Sequence, residues 1–173
     1  VLPRIITGTF SQSGHICIIV QRILVHERLY ERFKNRLMEE TRKLKAGNPL
    51  EEDTTVGPLI DESEAIRLES WIQSACRKGA TLLTGGKRKG AVLEPSLLEN
   101  VPQSEALCQD EAFGPVAVLE SFSDFDQAIA KANASRFGLQ AGIFTQDINR
   151  AHLAWEKLEV GGVVINDIPS WRA

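Results

Sequence analysis

One cysteine of this chain stands where a thiol could take part in chemistry. Cys17 follows the small, flexible pair Ser13-Gly14 and precedes the β-branched run Ile18-Ile19-Val20, which predicts a junction between a loop and a buried strand. The glycine lets the backbone approach a ligand closely, and a thiolate attacks carbonyl carbon well. A free cysteine beside apolar β-branched residues is, however, more often small core filling. The local pattern leaves both roles open for Cys17, and taken alone it favours the core.

The other cysteines give no sign of a disulfide framework or a metal site. Three cysteines at wide spacings, an odd number, argue against disulfide pairing. Neither Cys76 nor Cys108 has a partner at zinc-ligand spacing, and the three histidines are scattered. Cys76 falls on the apolar stripe of a predicted helix, where packing is the better interpretation. We expect no metal and a cytoplasmic protein.

The composition is that of an ordinary globular domain and excludes two classes of partner. The chain has 173 residues, of which 43% are apolar and 25% charged, enough to bury a substantial core. A net charge of −3 without basic runs gives no footprint for nucleic acid. No apolar stretch approaches the length of a membrane span, and no signal-peptide pattern opens the chain. We expect one domain over residues 1–173, with neither nucleic acid nor membrane as a partner.

Helices and strands alternate along the chain and must position Cys17 between them. Apolar residues at three- and four-residue steps predict helices over residues 29–45, from the capping pair Asp61 and Glu64 to Gly79, and over residues 125–133 and 148–158. Short apolar runs predict strands at residues 22–25, 81–84, 92–98, 116–119, 141–144 and 163–165. Pro95 indicates that the stretch 92–98 is an edge strand or is broken.

The helical spacing also predicts which side chains face the core. In the first of these helices they are Leu29, Phe33, Leu37, Thr41 and Leu44, and in the last they are Ile148, Ala151, Trp155 and Leu158. Helices of ten or more residues between strands imply crossover connections. We therefore expect an α/β fold with an open, mostly parallel, twisted sheet and helices on both faces.

An open α/β sheet binds its ligands at the carboxyl ends of its strands. The sequence contains neither a Gly-x-Gly-x-x-Gly stretch after a strand nor a phosphate-binding P-loop. These residues alone therefore show no dinucleotide pocket.

Two motifs resemble the catalytic domain of the aldehyde dehydrogenase superfamily. Gly14-His15-Ile16-Cys17, followed by Val20-Gln21-Arg22, is similar to the family's cysteine motif, with His15 where the family has glutamine, and Glu111-Ala112-Phe113-Gly114-Pro115 matches its second signature. Supporting segments follow in the family's order: Gly47-Asn48-Pro49, Val56-Gly57-Pro58-Leu59-Ile60, Gly85-Gly86, Phe137-Gly138-Leu139 and Val163-Val164-Ile165-Asn166. The resemblance runs from about Ile5 to Trp171 and makes Cys17 the expected nucleophile.

The resemblance implies oxidation of a small aldehyde to a carboxylic acid with NAD or NADP. Cys17 would form a thiohemiacetal and then an acyl thioester. Glu111 would bind the nicotinamide ribose hydroxyls, which suits an acceptor-only carboxylate, and Phe113 would pack beside them. The substrate pocket would be lined by Ile16, Ile18 and Trp171.

The resemblance also implies parts that this sequence does not contain. The family's general-base glutamate, its oxyanion asparagine and its dinucleotide-binding domain would precede Val1, and its oligomerisation strand would follow Ala173. We therefore expect a piece of a longer homo-oligomeric protein, a dimer or tetramer, and no appreciable turnover from the isolated chain. Two alternatives stay open: a relative in which coenzyme A resolves the thioester, and a non-catalytic scaffold module.

Overall fold

The computed structural model describes residues 1–169, in which helices and strands alternate. The helices are α1 (Leu2–Phe10), α2 (Glu27–Thr41), α3 (Glu62–Arg77), α4 (Ala106–Gln109), α5 (Phe125–Asn133) and α6 (Ile148–Lys157), and a short 3₁₀ turn (Ser11–Gly14) follows α1. The strands are β1 (Arg22–His26), β2 (Thr81–Thr84), β3 (Arg88–Lys89), β4 (Val92–Leu93), β5 (Ser96–Glu99), β6 (Val116–Phe122), β7 (Gln140–Ile143) and β8 (Gly162–Ile165).

The main sheet has four strands in the order β1-β6-β5-β2. Strands β1 and β5 both pair with β6 in parallel, and β2 pairs with β5 antiparallel. Strands β7 and β8 form a separate parallel pair, and β3 and β4 form a small antiparallel one. The predicted α/β fold with an open, mostly parallel sheet is confirmed.

Buried side chains lie on both faces of the main sheet, in two clusters. Val116 and Val118 of β6 belong to one cluster, and Ala117 and Leu119 belong to the other, because successive side chains of a strand point to opposite faces. Helix α3 packs in the first cluster, and helices α1 and α2 pack in the second. Helices therefore cover both faces of β6, which explains its continuous apolar sequence.

The predicted strand at residues 22–25 is confirmed as β1, but Cys17 does not lead directly into it. The β-branched residues 18–20 are not in a strand, and β1 starts at Arg22. The Ile19 N–H donates to the Ile16 carbonyl at 3.0 Å, and the Val20 N–H donates to the Gly8 carbonyl of α1 at 2.9 Å. These turn and helix contacts occupy the backbone that a strand would need, so tertiary contact overrides β propensity here.

Pro95 breaks the extended stretch 92–98, one of the two predicted outcomes. Strand β4 ends at Leu93 and β5 begins at Ser96. Strand β5 lies between β6 and β2, inside the sheet and not at its edge. Pro95 is tolerated because it precedes the strand, whose first N–H, that of Ser96, donates to the Pro115 carbonyl at 2.9 Å.

Some apolar side chains predicted to be buried are exposed. Leu29 is 49% exposed, Ile148 79% and Trp155 66%, whereas Leu37, Ala151 and Ala154 are buried. Helical spacing identifies residues that share a face, but burial also requires a neighbouring element that covers this face. Leu29 instead lines an open groove of about 1000 Å³, which also contacts β1 and β7. Among residues 1–169, no helix combines the length and apolar character that crossing a membrane requires.

Candidate active site

Cys17 lies in an exposed turn at the groove between β1 and β7. An exposed thiol fills no core, so the core role that the local pattern favoured is wrong. Cys108 has the opposite environment, since burial raises the pKa of its thiol to about 11 and the Glu120 carboxylate adds to the increase. Cys76 is half-buried and packs against the core cluster of α3, as predicted.

Two loops meet beside Cys17, backbone against backbone. We call residues 13–20 the cysteine loop and residues 110–115 the Glu111 loop. Gly14 has a φ of +79°, and a Cβ built on it would lie 2.2 Å from the carbonyl carbon and oxygen of Gly114. A Cβ on Gly114 would lie 2.3 Å from a methyl group of Leu68 on α3. Gly14 is therefore required for the close approach of the two loops, and Gly114 for the packing of the Glu111 loop against α3.

The backbone that leads to Cys17 is held in a sparsely populated conformation. Gln12 and Ser13 have φ of +50° and +57° and are followed by Gly14, which is also left-handed. Ser13 is buried, and its hydroxyl donates to the Gly57 carbonyl at 3.1 Å. Non-glycine residues persist in this region only where the surroundings support them. The Val56-Gly57-Pro58 segment thus provides one anchor of the cysteine loop.

Gln21 joins the end of the cysteine loop to the Glu111 loop by two hydrogen bonds and to α4 by a third. Its Nε2 donates to the carbonyls of Leu107 and Asp110 at 2.9 and 2.8 Å, and its Oε1 accepts from the Ala112 N–H at 2.9 Å. Both N–H groups of the amide and its oxygen are thereby used.

Arg67 of α3 holds the carbonyl of Ala112, the residue whose N–H is bonded to Gln21. Its Nη2 donates to the Ala112 carbonyl at 2.8 Å and to Glu64 Oε2 at 2.7 Å. The guanidinium also lies 4.3 Å from the centre of the Trp71 ring. Ala112 is 1% exposed, with its N–H and carbonyl both bonded to side chains.

The neighbours of this fixed residue are presented to solvent. Glu111 is exposed and lines the same groove as Cys17. Phe113 is 40% exposed, has a φ of +52°, and lies with its ring centre 5.6 Å from that of His15. His15, which stands where the resemblance expects glutamine, therefore contacts the Glu111 loop through its ring.

The groove brings together some of the predicted site residues and not others. Cys17, Ile18 and Glu111 line it, whereas Ile16, which is half-buried, and Phe113 do not. Trp171 lies outside the described residues. Within residues 1–169, no group of three or more His, Cys, Asp or Glu side chains could hold a metal ion.

Arg22, the first residue of β1, is anchored by a buried ion pair. Its Nε and Nη2 donate to Glu120 Oε1 at 3.0 and 2.8 Å, and its Nη1 donates to the Lys131 carbonyl at 3.0 Å. Glu120 Oε2 accepts from Gln103 at 2.9 Å. The pair has its hydrogen bonds satisfied, as buried charges require, and fixes the strand that follows the cysteine loop.

Sequence reasoning missed the roles of Gln21 and Arg67. Gln21 belongs to the segment that carries the resemblance, and the available signal was the polar pair Gln21-Arg22 between the apolar residues Val20 and Ile23. Arg67 is a half-buried residue of an amphipathic helix, and an arginine beside the apolar face of such a helix is ordinary. Their partners in the Glu111 loop and α4 are 45 to 91 residues away in sequence, a distance that no local pattern covers.

Over its whole length, the chain is similar to proteins of one family. The sequence model of the Aldehyde dehydrogenase family matches residues 1–173. The 3-sulfolactaldehyde dehydrogenase of Priestia aryabhattai is 43% identical over 164 residues, which are 95% of this chain and 34% of that protein.

Solved structures show the same similarity. Aldehyde dehydrogenase 21 from Physcomitrella patens, in complex with the reaction product succinate, matches with a TM-score of 0.96 and 49% identity over 99% of this chain and 36% of that one. Glyceraldehyde-3-phosphate dehydrogenase from Methanocaldococcus jannaschii, complexed with NADP, matches with a TM-score of 0.94 and 39% identity over 99% and 37%. The chain spans about a third of the length of these relatives.

Proposed function

Because this chain belongs to the aldehyde dehydrogenase family, we propose that residues 1–173 form the nucleophile-bearing catalytic domain of an enzyme that oxidises a small aldehyde to a carboxylic acid with NAD or NADP. One observation carries the proposal. The exposed Cys17 thiol and the exposed Glu111 carboxylate line one groove, on two loops that are fastened to each other. The NADP complex of a relative supports a nicotinamide cofactor.

The first chemical step belongs to Cys17. Its thiolate would attack the aldehyde carbon, forming a C–S bond while the carbonyl π electrons move to oxygen. The oxyanion of this thiohemiacetal would accept a hydrogen bond from the Cys17 backbone N–H, and a donor of this kind contributes about 3 kcal/mol to catalysis.

The second step converts the thiohemiacetal into an acyl thioester on Cys17. A bound nicotinamide supplies the hydride acceptor for this oxidation. Water then attacks the thioester carbon, the C–S bond breaks, and the carboxylic acid leaves while the thiol is restored. Exposure of Cys17 at the groove is compatible with entry of both aldehyde and water.

The residues of the Glu111 loop fit the ribose end of such a cofactor. A carboxylate accepts hydrogen bonds from two neighbouring hydroxyls and offers none in competition. Glu111 is exposed, while the adjacent Ala112 is buried and its N–H and carbonyl are both hydrogen-bonded. The backbone that carries the Glu111 carboxylate is therefore held in place. Phe113 adds a partly exposed apolar ring. We assign Glu111 and Phe113 to the cofactor, and Ile16, Ile18 and Trp171 to the walls of the substrate pocket.

The assembly and location of the intact protein are part of the same proposal. We expect a homo-oligomer, a dimer or tetramer, in which most of the cofactor is bound outside residues 1–173. The three free cysteines are typical of a cytoplasmic protein.

Replacing the nucleophile tests the proposal in the intact gene product that contains these residues. We expect Cys17→Ser to lower kcat by at least about a thousandfold, because a serine hydroxyl is a far weaker nucleophile without an activating base. Cys76→Ser is the matched control and should keep its turnover, since Cys76 packs against the core away from the groove. The measurement is NADH or NADPH formation with a panel of small aldehydes.

Other results would point to the other functions. Turnover that survives Cys17→Ser would exclude Cys17 as the nucleophile. Acyl-coenzyme A as the product would identify the coenzyme A-dependent relative. An intact protein that neither binds a nicotinamide nucleotide nor reacts at Cys17 faster than at Cys76 would be a scaffold module. From residues 1–173 alone we expect no appreciable turnover.

A further inference from the structure

We propose that Gln21 is a positioning residue that sets Glu111 and Phe113 for the cofactor, an inference that rests on the proposed function. Gln21 lies four residues after Cys17, yet the hydrogen-bond partners of its side chain all lie near or in the Glu111 loop. One side chain therefore connects the segment that carries the nucleophile to the segment that carries the cofactor contacts.

The hydrogen-bonding groups of Gln21 match its partners one for one. Two carbonyls, those of Leu107 and Asp110, require donors, and the Ala112 N–H requires an acceptor. Glutamine supplies both donors and the acceptor from one planar group. Glutamate retains an acceptor but loses both donors, and leucine loses all three groups. The two substitutions therefore separate the contributions of donor and acceptor.

The contacts of Gln21 act on backbone orientation and not on the ligand itself. Gln21 holds the N–H of Ala112, and Arg67 holds its carbonyl, so both backbone polar groups of this residue are fixed by side chains. The next residue, Phe113, has a φ of +52°, a conformation that needs support from its surroundings. Without the Gln21 hydrogen bonds, the backbone of the Glu111 loop would relax, and the Glu111 carboxylate would no longer be held where it reaches the cofactor.

The variants Gln21→Leu and Gln21→Glu test this role in the intact gene product. We expect the dissociation constant for NAD or NADP, measured by titration without aldehyde, to rise about tenfold in Gln21→Leu, because the backbone groups of Leu107, Asp110 and Ala112 lose their side-chain partner. KM for the cofactor should rise in parallel. KM for the aldehyde and kcat at saturating cofactor should change by less than about threefold.

Hydrogen exchange separates positioning from a general loss of structure. Exchange at the Ala112 amide should accelerate in Gln21→Leu and much less in Gln21→Glu, which keeps an acceptor for this N–H. Exchange in β6 should stay unchanged. Gln73→Leu, at an exposed position of α3, is the control and should match the wild type in every measurement.

The binding measurements distinguish failure of the proposed function from failure of the inference about Gln21. If the wild-type protein binds neither nucleotide, the proposed function fails and the inference fails with it. If the wild type binds while both Gln21 variants bind equally well, the inference alone is overturned. If both variants lose their fold, Gln21 is a structural residue, and its positioning role is likewise rejected.

Discussion

At the scale of single residues, the absence of a side chain at Gly14 allows the two loops of the candidate site to pack against each other. Its positive φ turns the chain toward Cys17, and its missing Cβ admits the backbone of Gly114. Gly90 has a similar φ of +59°, but a Cβ there would meet nothing within 4 Å. The two positions therefore share backbone strain and differ in contact.

A comparison of Gly14 with Gly90 predicts how much the close contact between Gly14 and Gly114 contributes to stability. We expect Gly14→Ala to lower the free energy of unfolding by about 1–3 kcal/mol more than Gly90→Ala. Both substitutions place an alanine in the left-handed region, but only Gly14→Ala also creates a steric clash, with the backbone of Gly114. Urea denaturation of the intact gene product measures the difference. Equal losses of unfolding free energy in the two variants would show that the cysteine loop and the Glu111 loop can move apart without destabilising the protein.

At the scale of elements, helices α3 and α4 are joined by an ion pair at their ends. Lys78, which follows α3, donates to Glu105 Oε1 at 2.5 Å, and Ser74 of α3 donates to Oε2 at 2.9 Å. Glu105 precedes α4 and is 4% exposed. The hydrogen bond from Lys78, followed by that from Ser74, lowers the pKa of Glu105 below its ordinary value.

The lowered pKa predicts a dependence of stability on pH. Because the Glu105 pKa is lower in the folded state than in the unfolded one, its ionisation stabilises the fold above the unfolded pKa of about 4.3. This contribution is lost as the pH falls through the folded pKa. We expect Lys78→Met to be less stable than wild type at pH 7 and to lose less stability on acidification. Urea midpoints measured from pH 7 downward test this.

The control for this prediction is another lysine with an acidic partner. Lys43 pairs with Glu40 at 2.7 Å, but the two side chains are 67% and 40% exposed, where ion pairs contribute little. Lys43→Met should follow the wild-type curve. A Lys78→Met curve parallel to the wild type would show that Glu105 keeps its lowered pKa without the lysine.

At the scale of the whole molecule, the groove between β1 and β7 separates the main sheet from the β7–β8 pair. Strand β1 pairs with β6 only, and β7 with β8 only, among the described strands. The groove lining includes exposed apolar side chains, among them Leu29, Phe137 and Leu139. Apolar surface of this extent beside open strand edges favours association.

We therefore expect residues 1–173, expressed alone, to self-associate through this groove. Leu139→Glu should reduce the association because it places a charge on the apolar wall. Leu50→Glu is the matched control, since Leu50 is 89% exposed and lies away from the groove. Sedimentation velocity over a range of concentrations gives the distribution of species. Equal association of the two variants would assign the contact to another surface.

The sequence by itself determined most of the elements of this protein and its family. Period and capping residues identify helices and strands because they depend on neighbours two to four residues away. For the same reason, Cys17, Glu111 and Phe113 were recognisable as motif residues from their immediate neighbours. Trp171 remains a prediction, outside the described residues.

Only the tertiary structure decided which side chains are covered and which loops meet. Leu29, Ile148 and Trp155 have the spacing of buried residues but no covering element, and they are exposed. The bonds of Gln21 span up to 91 residues, and their geometry follows from the packing of the sheet and α3. Local sequence encodes the direction of a side chain along its own element, whereas its partner depends on where another element is packed.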